Sequence, residues 1–97
     1  MTIDSTKMES MIGKIPVSLY KSLSDKLTSV ILDSEDKNAV STDLTKKIIY
    51  LWRQDQLSTP AGIETLIQAA SSVDQTVTVK ILEDLGLQEI AVTVKNL

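Results

Sequence analysis

From residue 8 onward, apolar positions in this chain recur with the period of a helix. Leu19, Tyr20, Leu23, Leu27, Val30 and Ile31 share one stripe, and Lys21, Ser22, Ser24, Asp25, Thr28 and Ser29 lie opposite. That spacing predicts a helix burying one face. Pro16 sets its start, because the residue before a proline avoids the helical region and proline itself suits the first helical position. The first helix is therefore placed at about 16–32. Upstream, Met8, Met11, Ile12 and Ile15 fall at i, i+3, i+4 and i+7. They predict a short helix or helical arm within 1–15 that docks on the rest and is weakened by Gly13.

A polar loop over 33–38 precedes the second helix, placed at about 42–57. Ser41 or Thr42 can accept a bond from an orphan amide as its N-cap, and Asp43 lies in the first turn. Its apolar set of Leu44, Ile48, Ile49, Leu51 and Trp52 runs more than half way round the cylinder once Tyr50 and Leu57 are added. That breadth predicts a central helix with several neighbours. Trp52 is expected in the core, and Tyr50 and Leu57 would seed a partner surface if exposed.

Thr59 and Pro60 stop this helix and start a third at about 60–73, with Ile63, Leu66, Ile67, Ala70 and Val73 inward. Asp74 caps a fourth at about 75–85, with Val77, Ile81 and Leu85 inward. It ends at Gly86, with Leu87 packed back on the turn. Leu87, Ile90, Ala91, Val94 and Leu97 predict a short C-terminal helix.

Two segments compete with this reading. Residues 76–81 and 90–94 are β-branched and alternate, as strands do. Extended, they would make a hairpin around Gly86 and a winged-helix-like α+β end to the chain. The cap at Asp74 and the turn at Gly86 favour helices. The expected fold is all-α: a single bundle of four main helices plus a short C-terminal one. It forms one domain over 16–97, preceded by the arm at 1–15.

Composition narrows the chemistry. The 97 residues hold no histidine, cysteine or phenylalanine, so imidazole and thiol chemistry, disulfides and thiolate zinc sites are excluded. Tyr20, Tyr50 and Trp52 are the only aromatic residues, leaving a core of Leu, Ile, Val and Ala. Ten basic and thirteen acidic residues give a net charge of −3, which argues against general nucleic-acid binding. Arg53 alone supplies a guanidinium. The three glycines are isolated and form no phosphate cradle, and no nucleophile arrangement stands out, so an enzyme is not expected. Residues 1–15 lack a signal-peptide pattern and no apolar run approaches ~20 residues. A soluble cytoplasmic protein, a monomer or weak oligomer, is the expectation.

The densest chemistry is acidic. Asp33, Glu35, Asp36 and Asp43 lie within eleven residues, joined by Ser34, Asn38, Ser41 and Thr42. Hard cations such as Ca2+ take six to eight oxygen ligands, and a loop between helices can supply them. With Asp33 in the first position, Glu35 is third, Asn38 replaces the sharp-turn glycine and Ala39 offers a carbonyl at the seventh. Val40 then takes the aliphatic place and Ser41 the ninth, so the segment distantly resembles an EF-hand loop. It departs from that pattern at Lys37, a cation in a ligand position, and at Leu44, where a bidentate Glu should close the site. Asp43 stands one residue early.

The resemblance implies a weak Ca2+ site, on the order of 10⁻⁴–10⁻³ M, with Asp33, Glu35 and Asp43 as ligands and Asp36, Asn38 and Ser41 assisting. Acidic residues also gather ahead of helices simply to favour the positive end of the helix dipole. Glu83, Asp84 and Glu89 around Gly86 read as a solvated face.

Residues 59–94 have the element order of a winged helix, and 81–87 resemble the end of a recognition helix in that family. The reading helix would offer Gln75, Thr76, Thr78 and Lys80, but also Glu83 and Asp84 towards a polyanion. In overall character the chain resembles the small helical proteins of archaea. The sequence thus predicts a small non-catalytic binding protein, most concretely a weak calcium binder. A protein-interaction module and a winged-helix-like DNA binder are its alternatives.

Overall fold

A computed structural model describes residues 5–96. Six helices follow in order: α1 Ser5–Ile12, α2 Val17–Leu32, α3 Thr42–Arg53, α4 Pro60–Val73, α5 Gln75–Asp84 and α6 Gln88–Lys95. The fold is all-helical, and no strand occurs among the described residues. Leu97, expected on the last helix, lies outside them.

The caps are local chemistry. Ser41 Oγ accepts from the Leu44 N–H at 3.3 Å, opening α3. Thr59 Oγ1 accepts from the Gly62 N–H at 3.2 Å ahead of Pro60, opening α4. Asp74 Oδ1 accepts from the Val77 N–H at 3.1 Å, opening α5. Each satisfies an amide that the first turn leaves unpaired. Gly86, at φ +79°, closes α5: its N–H bonds to the Glu83 carbonyl and the Leu87 N–H to the Leu82 carbonyl. This is the six-to-one and five-to-two pairing that needs a left-handed residue.

Those caps decide the two ambiguous segments. Residues 76–81 lie in α5 and residues 90–94 in α6, which removes the winged-helix-like α+β alternative. β-branching costs a helix only a few tenths of a kcal/mol per residue, and burial of Thr78, Val79, Ile90 and Val94 outweighs it. Gln75 and Thr78, assigned to base reading in that alternative, both bond within the fold, and Thr78 is buried. Gln75 Nε2 donates to the Val94 carbonyl at 2.6 Å, and the Thr78 hydroxyl donates to the Asp74 carbonyl at 2.8 Å.

The central helix is α4, not the helix after the acidic loop. It packs on α1, α2, α3 and α5. Every residue from Gly62 to Ile67 is buried, as are Ala69 and Ala70. Ala, Gly and Ser supply six of the fourteen residues of α4, and such small side chains let neighbours approach from several sides. Ile63, Leu66 and Ile67 are wholly buried, each contributing roughly 1.5–3 kcal/mol of apolar transfer.

By contrast α3 packs principally on α4 through Leu44, Ile48 and Leu51, a narrow stripe. Trp52 is therefore not a core residue: it is 67% exposed. The helix also stops at Arg53 rather than 57. Asp55 adopts φ 55°, and the Gln56 N–H turns back to the Leu51 carbonyl at 2.8 Å, repeating the Gly86 turn without a glycine.

Helix α1 lies against α4 and α6. Met8 and Ile12 are completely buried and Ile15 nearly so, in the same cluster as Leu23, Leu66 and Val94. The Tyr20 hydroxyl donates to the Ile12 carbonyl at 3.2 Å and ties α1 to α2.

Candidate functional site

The acidic loop is built from local turns. Asp33 caps α2 in a helical conformation, its N–H bonded to the Ser29 carbonyl at 2.9 Å. Ser34 Oγ both accepts from the Asp36 N–H and donates to the Asp36 carbonyl, each at 3.2 Å. Asp36 Oδ1 accepts from the Asn38 N–H at 2.9 Å, the side-chain mimic of a backbone turn. Ser41 Oγ is occupied by the α3 cap. Two of the six proposed ligands, Asp36 and Ser41, thus give side-chain oxygens to the fold.

Asp33, Glu35, Asp36, Asn38, Ser41 and Asp43 are all exposed. No group of three or more carboxylates among the described residues is close enough together to hold a metal ion.

The loop contributes instead to a groove. Asp33, Glu35 and Asp36 line a cleft of about 730 Å³ together with Asp74 from the start of α5. Val30, Val73, Val77 and Ile81 form its apolar floor, and Lys26 is its single cation. Val77, expected inward, is 42% exposed here. Asn38, Ser41 and Asp43 do not line this groove.

A second surface lies on α3. Lys46, Ile49, Tyr50 and Arg53 fall at i, i+3, i+4 and i+7, opposite the stripe that packs on α4. All four are exposed, Tyr50 to 62%. Trp52 stands on the flank with Ile49 and borders a shallow cleft against Lys21, Asp25 and Thr28 of α2. With Lys47 and only Asp43 in opposition, α3 carries +2 in a chain whose total is −3. Sequence reasoning placed Trp52 inside and left Tyr50 open. The signal that separates them is the second stripe at helical spacing, which mixes cations with apolar side chains as a core face does not.

The molecule is thus defined as a small all-helical domain with two exposed amphipathic surfaces of opposite charge. Compared with known proteins, the chain matches no protein family, no curated protein and no solved structure. No helix among the described residues is long and apolar enough to cross a membrane.

Proposed function

We propose that this is a non-catalytic binding protein that engages a protein partner through the outer face of α3. The observation carrying this reading is the stripe Lys46, Ile49, Tyr50 and Arg53 with Trp52 beside it, solvated although the inner stripe already satisfies packing on α4. Aromatic residues and arginine supply much of the affinity at protein interfaces, and lysines at the rim steer an oppositely charged partner. The partner's matching chemistry is an apolar strip flanked by carboxylates. A nucleic acid fits less well, since the chain is acidic overall and α3 offers three cations.

An amide-resolved NMR titration tests this reading. The probe is a synthetic helical peptide with a Leu stripe between Glu flanks. It is expected to shift residues 45–54, with the shifts fading in high salt as surface charges are screened. An Ile49→Ser, Tyr50→Ser chain should lose them. Shifts spread over the molecule, or produced by oligothymidylate and not by the peptide, would overturn the proposal.

Ca2+ in parallel samples addresses the acidic loop. Movement of residues 33–44 at ~10⁻⁴–10⁻³ M would support the calcium reading, and an unmoved loop would remove it.

A further inference from the structure

The groove between α2 and α5 and the outer face of α3 are complementary. The groove presents four valine or isoleucine side chains beneath Asp33, Glu35, Asp36 and Asp74, with Lys26 alone opposing them. The α3 face presents Ile49, Tyr50 and Trp52 among Lys46, Lys47 and Arg53. No residue of α3 lines the groove, so one molecule can offer both surfaces at once.

We propose that the groove receives α3 from a second copy of this chain, so that copies associate head to tail. The inference rests on the reading of α3 as a docking face and names its partner. Charge complementarity carries it. A symmetric pairing of α3 with α3 would set Lys46, Lys47 and Arg53 against their own copies, and a groove-to-groove pairing would oppose carboxylates. Only the crossed pairing brings cations to carboxylates and apolar side chains to apolar side chains. A 12-residue helix is ~18 Å long, so the buried patch is small and the association weak, in the ~10–1000 µM range typical of sub-standard interfaces. A heterologous contact does not close on itself in a dimer and leads to short chains or a ring.

Sedimentation equilibrium from ~10 µM to ~1 mM tests it, the range following from that affinity. The weight-average mass is expected to rise above the 10.6 kDa monomer and to fall back in high salt. A Lys46→Glu, Arg53→Glu chain and an Asp33→Lys, Glu35→Lys chain should each remain monomeric. Asp36 and Asp74 are left intact because their side chains hold turns and caps. Mixed in equal amounts, the two variants should associate again, because each keeps one working half and their reversed halves are complementary in charge. Circular dichroism of each variant establishes that it is folded.

A wild-type chain that stays monomeric at the highest concentration overturns the proposal. So do folded variants that fail to associate when mixed. If copies do not associate while the acidic peptide still shifts residues 45–54, only the identity of the partner fails. If neither occurs, the docking role of α3 fails as well.

Discussion

A chain carrying alanine at both Met8 and Ile12 is expected to lose most of its stability and to show little cooperative folding at room temperature. Both side chains are completely buried, on a helix of eight residues. Isolated helices shorter than ~12–15 residues are marginal in water, so α1 exists only because α4 and α6 receive it. Truncating a buried methionine or isoleucine to alanine costs roughly 2–5 kcal/mol, and the pair therefore removes about 4–10 kcal/mol. A domain of this size is stable by only about 5–15 kcal/mol. The two positions are neighbours on one face, so their effects will not add strictly.

Thermal denaturation followed by far-ultraviolet circular dichroism measures the loss. A midpoint lowered by a few degrees, the equivalent of ~1 kcal/mol, would show α1 to be a peripheral arm, and the account of the core would be wrong.

Gly62→Ala is expected to destabilise the fold by about 2–4 kcal/mol, a fall in Tm of roughly 10–25 °C. Two effects oppose each other. Alanine is the better helix former by about 1 kcal/mol. Its Cβ, however, would lie 2.5 Å from the Leu57 carbonyl oxygen and closer still to that of Gln56. Both atoms are backbone, and the segment is pinned.

The Gln56 N–H is bonded to the Leu51 carbonyl at 2.8 Å, and the Gln56 carbonyl accepts from the Thr59 hydroxyl at 2.6 Å. The added methyl must displace the strap between α3 and α4 and disturb the Thr59 cap with it. Overpacking against such a neighbour outweighs a gain in propensity. An unchanged or raised Tm by calorimetry would mean that the strap yields freely and that Gly62 has no packing role.

These two sites also mark where the sequence was legible. The ends of α2, α4 and α5 can be read to within a residue because their signals are local: Pro16, Thr59 with Pro60, Asp74 and Gly86. The end of α3 cannot, since Asp55 takes a left-handed conformation that aspartate tolerates but does not announce. Gly62 reads as one isolated glycine because the atoms that demand it belong to the preceding loop.

Periodicity reveals that a face is apolar, not what covers it. Ile49 and Trp52 therefore read as extra core, and with Tyr50 left open they make α3 read as central. The alanines of α4, which are what a helix enclosed on several sides requires, carried little weight.

The acidic loop itself was plain. Its association with Asp74 and Val77, more than thirty residues on, depends on α2 lying beside α5. Turns and caps draw on Asp36 and Ser41, side chains whose oxygens the sequence offers equally to a cation.

The position of Trp52 has a practical consequence. The chain's one indole stands mostly in water, and the aromatic side chain in the core is a tyrosine, Tyr20, which excitation on the red edge of the tryptophan band leaves silent. The indole emission should already lie far to the red in the native state and change little as the polypeptide unfolds. The same signal should move to the blue when another surface covers α3. Tryptophan emission in this protein will therefore follow its encounters and be nearly blind to its folding.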